Sequence, residues 1–192
     1  MNRTAPNRTV ITRIVHALVD RRFANDARGV SAVEFTLILP LVLLIFFAMV
    51  ETSQGLNANR KLTLTVRAMS DLVAQATSVT ATDVNNVFSA AAAIMQPLST
   101  ASLKSKISAI NIDAAGVAKV DWSKGSGTAA RSKGDVVSIP AGLIIPGTQL
   151  IWSEAEYVFT PPVGYFLTGP ITMTDQFFAR PRQSSTVAGP TS

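Results

Sequence analysis

The chain has 192 residues, with 17 basic and 12 acidic side chains and a formal net charge of +5. It holds no cysteine and one histidine, His16, so disulfides and thiol nucleophiles are excluded, and beyond Gly29 the usual general base and soft metal ligands are missing. The charge is uneven: Met1–Gly29 carries six of the basic residues and two of the acidic ones, which leaves 11 and 10, net +1, for the rest.

The first element is a basic leader, residues 1–29, with Arg3, Arg8, Arg13, Arg21, Arg22 and Arg28 set against Asp20 and Asp26. A membrane-length apolar segment follows. Val30–Val50 is 21 residues, which as a helix reaches about 31 Å against a hydrocarbon core of about 30 Å. From Phe35 to Val50 only Thr36 is polar and only Pro40 disfavours a helix, and proline is tolerated inside membrane helices. The arginine excess keeps the N-terminal side in the cytoplasm. Residues from Glu51 onward then lie outside the inner membrane, in the periplasm of a diderm bacterium. The basic pI is thus a topology signal, and no basic stripe with interleaved aromatics points to nucleic acid.

One acid, Glu34, stands at the leading edge of the apolar segment, five residues after Gly29. A carboxylate near the interface can simply snorkel to water. The spacing offers a second reading. If the chain is cut after Gly29, Val30 becomes the first residue and Glu34 the fifth. In an assembly of parallel helices, the Glu34 carboxylate can then pair with a neighbour's new terminal amine, which lowers the cost of burying both charges. Glycine before the cut lets the backbone enter a narrow protease cleft.

Past Glu51 the helix is expected to continue, loosened at Gly55. Leu62, Val66, Met69, Val73 and Ala76 form an apolar stripe at helical spacing, with Arg60, Lys61, Arg67, Asp71 and Gln75 off it. Thr77–Thr82 breaks the pattern, and Thr82 or Asp83 can cap a second helix. On that helix Val84, Val87, Phe88, Ala91 and Met95 share a face, and Pro97 follows its end. From Lys104 the period shifts toward strands. Lys106–Asp113 and Val117–Ser123 flank Ala114-Ala115-Gly116 as a hairpin. Lys124–Gly134 reads as a Gly/Ser-rich loop, Asp135–Ile139 as a short strand and Pro140–Pro146 as a loop. Leu150–Thr160 is a strand with Ile151, Ala155, Tyr157 and Phe159 on one side, and Ile171–Ala179 is the last strand. Gln183–Ser192 is polar and expected to be disordered. The boundaries are a leader at 1–29, a transmembrane helix at 30–51, a periplasmic α+β domain at 52–182 and a tail at 183–192. The fold class is α+β and pilin-like: a long N-terminal transmembrane and spine helix, with a second helix packed on a small antiparallel sheet.

Gly29-Val30-x-x-x-Glu34-Phe35 followed by an apolar run resembles the class III signal of type IV pilins and pseudopilins. The wider string R-G-V-S-A-V-E-F-T-L-I-L-P-L, with Pro40 and then Glu51, is similar to the TadE-like family of tight-adherence (Flp) pilus assembly. Residues 171–182, I-T-M-T-D-Q-F-F-A-R-P-R, look like that family's closing segment. The resemblance implies a pseudopilin processed after Gly29 by a prepilin peptidase, with Gly29, Val30, Glu34 and Phe35 as processing and assembly residues. It also implies other pilus subunits and an inner-membrane assembly platform as partners, and no cofactor. Two alternatives stay open. One is an uncleaved single-span scaffold of the same apparatus; the other is a soluble periplasmic binding domain cut near Val50, where Ala48 and Val50 would have to serve as the cleavage signal.

Nothing in the outer part reads as an enzyme. Glu154 and Glu156, two apart, fall on one face of a strand, and a solvated face accounts for them. Asp121-Trp-Ser123-Lys-Gly125 is similar to the D-x-S-x-S metal motif of von Willebrand A-type domains, but its last position is Gly125, and Asp121–Gly127 is expected to be a turn.

Overall fold

The structure, a computed structural model, describes residues 27–161, 164 and 169–190. Most of the leader and the last two residues lie outside that set. The chain divides into two units, 1–47 and 48–192.

The described part of the first unit is helical and belongs to α1 (Ala27–Ala74), which runs on through Pro40. Every residue from Val30 to Phe46 is exposed. The polar group of Phe35–Val50 needs no outside partner: the Thr36 hydroxyl donates to the Ala32 carbonyl at 2.7 Å, the i−4 bond that lets a hydroxyl sit in an apolar helix.

In the second unit α1 becomes the spine of a domain. Ala58, Leu62, Val66, Met69 and Val73 are buried, at the three- and four-residue spacing of one helical face, and Ala74 beside them is buried too. The loosening expected at Gly55 does not occur. The helix is unbroken there, and a Cβ on Gly55 would meet the Phe159 ring at 3.7 Å. Glu51 is fully buried, so the domain begins inside what the sequence assigns to the membrane segment.

α2 (Ala81–Met95) buries Val84, Val87, Phe88, Ala91 and Met95, the face read from the sequence. Its cap is Thr80 rather than Thr82 or Asp83. The Thr80 hydroxyl accepts from the Asp83 backbone N–H at 3.2 Å, and the Asp83 carboxylate accepts from the Thr80 N–H at 2.8 Å. That reciprocal capping box needs the two residues three apart. At the other end the Lys61 ammonium donates to the carbonyls of Ile94 and Gln96, at 3.0 and 2.7 Å, filling acceptors a helix C-terminus leaves open.

Four strands follow: β1 (Lys104–Ile112), β2 (Ala118–Ser126), β3 (Gln149–Phe159) and β4 (Ile171–Ala179). They form one antiparallel sheet in the order β2-β1-β3-β4. The region expected to be a turn at Asp121–Gly127 is mostly strand, because Trp122, Ser123, Lys124 and Gly125 pair with β1. The expected strand at Asp135–Ile139 is reduced to a single bridge between Val136 and Lys119.

Alternation along β3 sorts the sheet into two faces. Ile151, Ala155, Tyr157 and Phe159 join Ile107, Ala109 and Trp122 in the core with α1 and α2. Leu150 and Trp152 face the other way, with Ile110, Ile112, Ala118 and Ile139, and Val137, Leu143 and Phe178 pack against them. The domain is therefore α+β, with helices on one face of the sheet and irregular chain on the other.

The closing segment departs from the expected disordered tail. Val187 is completely buried in the helix-side core, and Ala188 bridges in parallel to Ser78. Its order comes from partners more than 35 residues away in sequence, which local composition does not reveal.

Candidate functional site

Gly29, Val30, Glu34 and Phe35 all lie on the first turns of α1, and all four are exposed. Val30 is 59% exposed and Phe35 64% exposed. Val30 and Glu34 are i and i+4, so they share one face a single turn apart. Helical side chains lean toward the N-terminus, which carries the Glu34 carboxylate toward the turn that Val30 begins. Among the described residues, a Cβ placed on Gly29 meets no atom within 4 Å. No packing demand explains glycine there.

The run that follows is the one helix among the described residues long and apolar enough to cross a membrane. Its most apolar stretch has a mean hydropathy of 2.6 and no buried residue. A helix in a soluble core would be covered; this one presents apolar side chains on every side, as a lipid-facing helix does.

The acidic pair on β3 is accounted for by neighbours. Glu154 takes a two-pronged bond from Arg131, with Nη2 at 2.9 Å from Oε1 and Nη1 on Oε2. Glu156 pairs with Lys104 at 2.8 Å. Arg131 also lies over the Trp152 ring, 3.9 Å from its centroid, and Phe178 stacks on the same ring at 5.3 Å. The Trp152 Nε1–H donates to Gln176 at 3.0 Å. Glu154, Glu156 and Gln176 border an open cleft of about 500 Å³, lined also by Lys104, Lys106 and Thr128, among others. Glu154 and Glu156 are spoken for by cations, and the cleft walls hold no histidine, cysteine or activated hydroxyl. This stack is not legible in the sequence, because Arg131 comes from a loop with no periodicity of its own.

Asp121 is likewise engaged, paired with Lys133 at 3.1 Å and facing the Gln149 amide at 3.4 Å. Gly125, where the metal motif would place serine, is held for a different reason. The loop after β2 folds back so closely that a Cβ on Gly125 would lie 2.2 Å from the Thr128 carbonyl oxygen. Among the described residues no group of three His, Cys, Asp or Glu is placed to hold a metal ion.

Among the described residues, three carboxyl and phenol groups of the second unit are perturbed. The Thr80 hydroxyl and backbone N–H hold Asp83 below the usual carboxylate range. The Val117 N–H and the Lys119 ammonium do the same for Asp113 in the β1–β2 turn. Burial pushes the Tyr157 phenol up. The two carboxylates serve a helix cap and a hairpin, and neither faces a cleft with a second reactive group.

Compared with known proteins, residues 29–69 match the family model described as TadE-like protein. The match begins at the glycine of the candidate processing site and ends on the buried spine of α1, and its family is the one the sequence resembles. No curated protein and no solved structure matches the chain.

Proposed function

We propose that this chain, TadE-like over residues 29–69, is a membrane-anchored pseudopilin that takes part in building a tight-adherence (Flp) type IV pilus. The observation that carries the reading is the coincidence of that match with an apolar stretch of α1 that follows Gly29 and is exposed through Phe46. The apolar run inserts in the inner membrane with the basic leader in the cytoplasm. A prepilin peptidase cuts after Gly29, and Val30 becomes the new terminus. Glu34, on the same helical face, supplies the counter-charge for a neighbouring subunit's amine as helices gather in a low-dielectric setting. The outer domain, in the periplasm, meets other pilus subunits and the assembly platform. The role is structural, in keeping with carboxylates that are committed to ion pairs, caps and turns.

The reading of a soluble domain released near Val50 has less support. A signal peptidase needs extended chain at its cut site, whereas α1 runs without interruption across Val50 and Glu51, and Glu51 is buried. An uncleaved scaffold of the same apparatus remains the second reading. Deleting the chain and imaging the cells tests the proposal: loss of pili, restored by the intact chain, is expected, and unchanged piliation would overturn it. Immunolabelling of sheared pili separates a subunit of the fibre from a factor that only assists assembly.

A further inference from the structure

Residues 187–189 occupy a seat that is built on all sides. The Val187 side chain is fully buried. Its N–H donates to the Gln149 side-chain oxygen at 2.6 Å, and its carbonyl accepts from the Trp122 indole N–H at 2.9 Å. Both receiving side chains are themselves buried, Gln149 at 1% and Trp122 at 8% exposure. The next residue adds backbone pairing: the Ala188 N–H donates to Thr77 at 3.1 Å, and its carbonyl accepts from the Val79 N–H at 2.9 Å. The third position admits only glycine, because a Cβ on Gly189 would fall 2.2 Å from Trp122 Cγ. One apolar socket, paired backbone on two sides and a glycine-only slot make up a recognition site for an extended Val-small-Gly segment, of the strand-addition kind.

We infer that this seat is an interaction site between copies of the chain, filled in the isolated molecule by its own residues 187–189 and open to the same residues of a second copy. Upstream of the seat the segment is held to its own domain by one exposed residue, Arg182, whose N–H donates to the Ala74 carbonyl at 2.9 Å and whose guanidinium pairs with Asp71 at 2.6 Å. Between the end of β4 at Ala179 and Val187 lie seven residues, Arg180–Thr186, none of them buried. Fully extended they reach about 24 Å. Val187 is the one buried side chain after Pro161 among the described residues, so release is a local opening and leaves the sheet and helices paired. Every contact made in the chain's own domain is chemically identical in a second copy's, which is why exchange of such an element is a low-cost route to association. Once released, the segment's polar, Gly- and Pro-containing composition favours solvated chain.

The absence of native cysteine makes a clean test. Ser78 and Ala188 are bridge partners and both exposed. A full-length receiver carries Ser78→Cys and a protease site inserted at 183–185, cut after folding in detergent micelles and washed. A full-length donor carries Ala188→Cys. On mixing under mild oxidation, a disulfide-linked pair of the two chains is expected, and its loss is expected when the donor also carries Val187→Asp or Gly189→Ala. Absence of the linked pair overturns the inference. So does a pair that forms equally with either donor variant, because that is collision without seating. Collapse of the receiver's circular dichroism on cutting overturns it too, since the segment is then a fixed part of the core.

Discussion

Arg131 reaches from the loop after β2 across the sheet and grips Glu154 with both terminal nitrogens while its guanidinium plane covers Trp152. The pairing decides what an acidic strand face is for. Two carboxylates two residues apart on β3 are available for acid–base work only if at least one is free to exchange its proton with a ligand. Here one is clamped by arginine and the other by Lys104. With about three-quarters of each side chain covered, the arginine pair works in a setting where losing one partner is costly.

Arg131→Ala should therefore destabilise the α+β domain by about 1–3 kcal/mol, through the uncompensated carboxylate and the uncovered Trp152 ring. Lys104→Ala should cost under about 1 kcal/mol, because both members of that pair are substantially exposed. Chemical denaturation followed by tryptophan fluorescence reads both. Equal losses would show that the stack carries no special weight.

The cap of α2 gives a sharper pair of variants. Thr80→Ala removes the hydroxyl that accepts from the Asp83 N–H and should cost about 1 kcal/mol. Thr82→Ala lies inside the first turn and should cost less than half of that. Thermal melts of the two proteins check the assignment, and a reversed order would restore the sequence-based choice of Thr82.

Acid should weaken the domain in a defined window. Asp83 and Asp113 have folded-state pKa values below their ordinary value of 3.8. The unfolded chain then binds protons more readily than the folded one, so these groups contribute stability that is complete above about pH 4 and is lost as pH falls through their folded values. Melting temperatures between pH 6 and pH 2 should fall below about pH 4, and less steeply in an Asp83→Asn, Asp113→Asn double variant. A parallel fall in both proteins would assign the acid sensitivity to other groups.

Gly29→Arg should block maturation and leave membrane insertion intact. The position has open space around it, so a large side chain is tolerated by the helix, and a defect reports on the protease. Carbonate extraction with gel mobility is the readout. Normal processing of the variant would remove the reason for glycine at that position.

Much of the fold could be read from the chain. The buried face of α2 and the limits of β4 follow from periodicity, because those segments obey one period from end to end. What escaped depends on distant or reciprocal partners. Among the threonines of T-S-V-T-A-T, only the one three residues before Asp83 can close a capping box. Gly125 and Ser126 look like loop residues, yet they pair with β1 because the following loop doubles back over them. Val187 is a single apolar residue in a polar run, and nothing local says that Trp122 and Gln149 wait for its backbone. At the candidate site, the sequence carries the positions of Gly29, Val30, Glu34 and Phe35. The structure adds that all four are exposed and that Val30 and Glu34 share a face.

The N-terminal residue of the protein isolated from membranes tests the central claim most directly. Processing as a pseudopilin predicts a chain that starts at Val30, with the leader and its six arginines gone. A chain that starts at Met1, or at a residue near Glu51, would contradict it.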